Sequence, residues 1–189
     1  YRGGTQDSYS FIQCWSDIDG SADAEFKVRN TGASYNDAGT WGTGADYAEF
    51  FEWKDGNTSN EDRAGMTVVL DGDKIRKANE GETPIGVVSA NPAVIGDVAW
   101  NRWNQKYLKD DFGREILEEY TNSQGDLDKK AKLNSDFDDK LEYVPRENRQ
   151  EWDVIGLVGK LRILKDQPVA DSWIKMKDVS ETVEMWFVK

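Results

Sequence analysis

MTVVLDGDKIRKA, residues 66–78, is the stretch whose reading decides the fold class. Thr67, Val68, Val69 and Leu70 make a run of strand-forming residues, and Ile75 lies in a second run. Asp71-Gly72 stands between them, a dipeptide suited to a tight type I′ turn. Two short runs about such a turn predict a β-hairpin. The same signature recurs outward along the chain. SYSFIQCW (8–15), AEFKVRN (24–30), ADYAEFFEW (45–53), TPIGVVSANPAVIG (83–96), EWDVIGLVGKLRILK (151–165), DSWIKMKD (171–178) and VEMWFVK (183–189) all read as strands or strand-turn units. Ile85-Gly86-Val87-Val88 is echoed by Ile155-Gly156-Leu157-Val158. A glycine at the same place in two strands predicts close backbone approach in a small barrel or sandwich.

Two regions depart from this pattern. Trp100, Trp103, Tyr107, Phe112, Ile116 and Tyr120 recur at helical spacing, which predicts a short helical insert over about 98–120. Residues 121–150 form a long polar excursion. The fold class expected is therefore α+β, predominantly β. An elongated N-terminal β segment (1–44) precedes a barrel- or sandwich-like core (45–189) that carries the helical insert.

Composition limits the function. The 189 residues carry a net charge of −12, so binding to a nucleic-acid backbone or an anionic membrane is disfavoured. One Cys permits no intrachain disulfide, and Cys14 is expected to be a small core residue. Histidine is absent, which removes Ser-His and Cys-His pairs and histidine-ligated zinc. Acid-base chemistry falls to carboxylates, Lys, Tyr or hydroxyls. Asp17, Asp19 and Asp23 suggest a calcium loop only superficially, since Gly20 is misplaced for one, so neither metal nor cofactor is expected. A polar, aromatic-rich chain with little core suggests an elongated shape or an oligomer. The chain opens on YRGG without an initiator Met, and is expected to be a piece of something longer.

GADYAEFFEW (44–53) sets Asp46, Glu49 and Glu52 among Tyr47, Phe50, Phe51 and Trp53. Burial against rings raises a carboxyl pKa, and two carboxyls in different surroundings can divide acid and base work. Strand alternation puts Asp46 and Glu52 on one face and Glu49 on the other. The bland alternative is a strand with a wet face. A Ser-Lys dyad from Ser16 or Ser89 with Lys27 or Lys77 is chemically allowed, but no spacing selects one. Arg146 and Arg149, set among acids, are expected to make interchain ion pairs.

The blocks SDIDG, AEFKV, GADYAEFFEW, LDGDKIRKA, PIGVVSANPAVIGD, WNRWNQKYLKDDFGREI, YVPRENRQEWDVIGLVGKLRI and SWIKMKD follow one another in this order. Over at least residues 9–189 they resemble the C-terminal autoproteolytic intramolecular-chaperone domain of phage tail spikes and neck appendages, the G2-type peptidases. The resemblance implies a homotrimer that brings three upstream stalk chains into register, then cuts its own backbone and is released from the virion tail during assembly in the host cytoplasm. It implies catalysis by Glu and Asp, with Asp46, Glu49, Glu52 and Asp17 as candidates. It also implies a cut at a Ser-Asp bond, for which Ser16–Asp17 is the candidate; Asn36–Asp37 is a second. Ser16 could attack its own carbonyl in an N→O shift, or Asp17 could assist by intramolecular attack. A function of another class fits the same aromatics: a non-cleaving receptor-binding or capping tip of a phage fibre.

Overall fold

A computed structural model describes residues 10–16, 23–29, 34–36, 44–97, 106–138, 140–142 and 144–189. The chain divides into two compact units, Tyr1–Gly42 and Thr43–Lys189.

In the first unit, β1 (Ser10–Ser16), β2 (Asp23–Arg29) and β3 (Ser34–Asn36) form an antiparallel sheet in the order β1-β2-β3. Phe11, Ile12 and Trp15 are exposed, so three thin strands leave large apolar groups in water. Cys14 is exposed too, which corrects the expectation of a core residue: no second layer covers this sheet among the described residues of the unit. Asp17 and Asp19 lie outside the described residues.

The second unit is built on β4 (Asp46–Glu52), β5 (Thr67–Asp71), β6 (Lys74–Lys77), β7 (Gly86–Val88), β8 (Val94–Gly96), β11 (Trp152–Leu164), β12 (Ile174–Asp178) and β13 (Val183–Val188). These eight strands form one sheet, ordered β12-β13-β11-β7-β5-β6, with β4 joined to β11 and β8. Among the described residues the strands do not form a closed barrel: β12 ends the path on one side, and β6 meets the end of β4 only through the single Trp53–Ile75 bridge. The thirteen-residue β11 organises the unit by pairing with β4, β7 and β13. Its ladders to β4 and β13 meet at Gly159, which takes φ +120°.

The hairpin that fixed the fold class is present as β5 and β6. Its loop is Gly72-Asp73, one residue on from the expected centre, with positive φ at Gly72 alone. That is the type II′ pattern rather than I′.

Across the sheet, Trp53, Val68, Ile75, Val88 and Ile155 make one buried cluster, and Val87, Leu161, Ile163, Ala170, Trp173 and Val188 another. Arg63 closes the first cluster. It is 5% exposed, stacks over Trp53 at 4.3 Å and holds both Asp55 carboxylate oxygens at 3.0 and 2.7 Å. Its guanidinium beside Asp55 holds that carboxyl down at about 2. This contribution to stability is present above the ordinary Asp value and is lost as pH falls toward 2. Arg63→Ala removes the stacking, the stem packing and the fork together, for an expected cost of about 2–3 kcal/mol in urea unfolding. A cost below about 0.5 kcal/mol would contradict this account of the cluster.

The echoed glycines do mark close approach. Val87 of β7 pairs with Gly156 of β11, and a Cβ on Gly86 would sit 2.7 Å from the Gly156 carbonyl oxygen.

The helical insert is not seen in its described part. Over residues 106–120 the chain makes bridges, Tyr107 to Leu133 and Lys109 to Glu115, and then enters β9 (Leu117–Thr121). The apolar groups at helical spacing find no core there: Phe112 is 84% exposed and Ile116 40%. Gly113 at φ +79° turns the chain, and Asp110 secures that turn by accepting hydrogen bonds from the Phe112 and Arg114 amides. Residues 98–105, with Trp100 and Trp103, lie outside the described residues. The polar excursion also holds a strand, β10 (Leu127–Ala131), in a hairpin with β9. The one helical element among the described residues is a single 3₁₀ turn, Arg146–Asn148.

Candidate active site

Strand β4 gives its three acids three different surroundings. Asp46, Ala48 and Phe50 face inward and are buried, while Tyr47 is exposed and Glu49 half-buried on the other side. Glu49 accepts a hydrogen bond from the Tyr47 hydroxyl. Glu52 is half-exposed and ion-paired to Lys74 at 2.6 Å. Asp46 and Glu52 are six residues apart, roughly 20 Å at the ~3.3 Å rise of a strand. The strand therefore does not bring these two together.

Asp46 is the unusual one. It is 5% exposed, and its Oδ2 has no hydrogen-bond partner. Burial pushes its carboxyl above the ordinary value; the Ser89 hydroxyl and nearby backbone groups oppose that rise without cancelling it. A buried oxygen with no partner costs stability, which is why such groups are few in folded proteins. Gly156 makes room for it, since a Cβ there would lie 2.8 Å from Oδ2. β11 carries a bulge nearby: Gly156 and Val158 oppose adjacent residues of β4, leaving Leu157 over. Bulges are over-represented beside active sites, where they re-aim side chains.

Asp46 and Ser89 line a cavity of about 640 Å³, with Gly65, Lys160, Arg162 and Met185 among its other walls. A second cavity, about 860 Å³, shares Ala64, Val88, Ser89 and Ala90 with the first and reaches Asp153. Burial raises the Asp153 carboxyl as well, against a hydrogen bond from Trp53 Nε1 at 2.7 Å.

Ser89 is the group the sequence reading did not join to Asp46. Ser89 follows a three-residue strand, β7, and meets Asp46 through the fold rather than by any motif. Of the Ser-Lys alternative, Lys77 holds Glu61 at 3.0 Å. Arg146 and Arg149 find partners within the chain. Arg146 holds Asp97 at 2.6 Å and stacks over Trp152, and Arg149 holds Glu151. Ser16 ends β1, and Asp17 lies outside the described residues.

A family profile described as the peptidase G2, IMC autoproteolytic cleavage domain matches residues 6–185. The chain belongs to the peptidase G2 family. Relatives of this G2 domain include the pre-neck appendage protein of Bacillus phage B103, 39% identical over 84% of the chain, and that of Bacillus phage phi29, 37% identical over 79%. The chain spans only 17% and 16% of the length of these two proteins. The crystal structure of the pre-mature bacteriophage phi29 gene product 12 matches 88% of the chain at TM-score 0.75 and 28% identity, using 24% of that protein. A C-terminal fragment of the same gene product matches 76% of the chain at TM-score 0.60 and 31% identity, and is covered in full. The G2 family is one of autoproteolytic cleavage domains, so the fold described here is that of a domain that cuts its own chain.

Proposed function

We propose that this domain is a single-turnover protease that cuts its own backbone at Ser16–Asp17, with Asp46 as the acid that protonates the leaving nitrogen. The observation that carries the assignment is the buried carboxyl of Asp46, a cavity-lining residue whose Oδ2 has no hydrogen-bond partner. A carboxyl that burial raises above the ordinary Asp value holds its proton to higher pH and is better suited to donating it than an exposed one. In the proposed reaction a carboxylate, for which Asp17 is adjacent, takes a proton from a water whose oxygen adds to the Ser16 carbonyl carbon. The C–N bond to Asp17 breaks, the nitrogen takes the Asp46 proton, and Ser16 is left with a free carboxyl group. Glu49 and Glu52, each already held by Tyr47 or Lys74, are assigned to holding the strand rather than to bond-breaking.

We further propose that the domain acts as a homotrimeric intramolecular chaperone for the stalk of a phage appendage, with the virion as its place of work. Residues 1–44 would carry the cut and 45–189 the trimerising core. Support comes from the named relatives and from large apolar side chains left in water: Phe11, Ile12 and Trp15 in the first unit, and Val158, Ile174 and Phe187 in the second. Exposed apolar groups on this scale mark association surfaces. Three chains held together raise the local concentration of their upstream segments, whose long-range β pairing is otherwise slow. Light scattering at micromolar concentration is expected to give a trimer mass, and a monomer would refute the assembly reading. Expression with the native N-terminal context, followed by sequencing of the released fragment, tests the cut.

A further inference from the structure

One face of the large sheet stays apolar across five strands. Register places Val94 of β8, Tyr47 of β4 and Val158 of β11 in one cross-strand row. The next row joins Lys160 to Phe187 of β13 and Ile174 of β12, and a third joins Arg162 to Met185 and Lys177. A Cβ on Gly156 would touch both Leu161 and the Asp46 carboxylate, so those two side chains share the covered side. Their strand neighbours Tyr47 and Lys160 therefore share the other. On the covered side Leu161, Ile163 and Val188 are buried in one core cluster. On the open side Val94, Tyr47, Val158, Phe187 and Ile174 are 37–51% exposed. The three rows carry three cations and no carboxylate, while the whole chain carries a net −12. The surface elsewhere is correspondingly acidic.

We propose that a second copy of the chain docks on this face, and that it does so with a different, acidic surface of its own. The inference rests on the assembly reading above and names the surface and the kind of contact that carry it. Five large apolar side chains gathered on one side of a sheet mark an interaction surface, where single exposed ones would not. Charge selects the occupant. A two-fold contact lays a patch against its own copy. Here that would bring Lys160, Arg162 and Lys177 of both copies together, and like charges set against each other in an interface are costly. An acidic surface elsewhere on another copy meets the same three cations favourably. The contact is then head-to-tail, joining unlike patches, and such contacts close into rings when the rotation permits. In a threefold ring each copy covers this face once. The apolar rows supply the affinity, and the cations fix which side of the neighbour is taken.

The test is the mass of the full chain by light scattering at micromolar concentration, the parent beside Val158→Glu/Ile174→Glu. The parent is expected to be a trimer, and the variant to fall to the monomer mass while keeping the parent's circular dichroism. A monomeric parent removes the assembly reading and this face with it. A trimeric parent beside a folded variant that is also trimeric overturns the face alone, and a dimeric parent overturns the head-to-tail contact. If the variant does not fold, cross-linking of the parent decides. Isotopically light and heavy chains are refolded together and treated with a carbodiimide, which joins a lysine directly to a carboxylate. Lys160 or Lys177 of one label is expected to link to an Asp or Glu of the other. Links from these lysines that stay within one chain, those to residues 1–42 included, overturn the proposal, as does the absence of any link.

Discussion

Asp46→Asn is expected to slow self-cleavage at least about a hundredfold while raising the melting temperature at neutral pH. The first effect follows from deleting a positioned proton donor. The second follows from linkage. Burial raises the Asp46 carboxyl above its ordinary 3.8, so the folded chain holds a proton that the unfolded chain has released. Stability therefore falls as pH rises through the unfolded value, and levels off above the folded one. The amide has the same shape and no charge to bury. Its advantage is expected to be largest near pH 7 and to vanish below about pH 4, where both states of the parent hold the proton. Melting curves at pH 7 and pH 3.5, with cleavage followed on gels, check both halves. A variant less stable than the parent at pH 7, or one that cuts within tenfold of it, would contradict the account. The expected pattern, a group that costs stability where it serves activity, is the usual trade at a functional site.

Gly86→Ala is expected to damage the sheet severely for so small a substitution. The new methyl would lie 2.7 Å from both the Gly156 carbonyl oxygen and the Ile155 Cγ2. The first of these is backbone in a central ladder and cannot swing away. Forced separation of β7 from β11 would open the buried cluster around Val88 and Ile155. A loss above about 3 kcal/mol is expected, enough to leave the chain poorly folded at 37 °C. Gly72→Ala is the control. Nothing lies within 4 Å of its Cβ, and only the φ of +74° opposes it, so about 1 kcal/mol is expected. Urea unfolding distinguishes the two, and equal effects would show that the close approach of β7 and β11 does not govern stability.

The strands were legible because their residues obey local rules. The β5–β6 hairpin announced itself by branched residues about a turn dipeptide. The echoed glycines announced a close approach that β7 and β11 make. The helical reading of 106–120 failed because spacing alone says nothing about whether a core lies opposite. Phe112 is left exposed, and an Asp110-secured turn at Gly113 breaks the run. The site was half legible. Alternation along β4 puts Asp46 in the row of Ala48 and Phe50, which marks it for burial. Ser89 is 43 positions away in the sequence, and no motif links it to Asp46. The bulge at Leu157 that shapes their surroundings depends on the register of β11 against β4, which only the fold determines.

The most direct test of the central claim is the intact mass of the released fragment from the parent and from Asp46→Asn, each expressed with its native N-terminal context. The parent is predicted to yield a fragment beginning at Asp17, and the variant to remain uncut. A parent fragment beginning elsewhere, or an Asp46→Asn chain releasing the same fragment at a similar rate, would contradict the claim that a buried carboxyl at position 46 breaks the bond after Ser16.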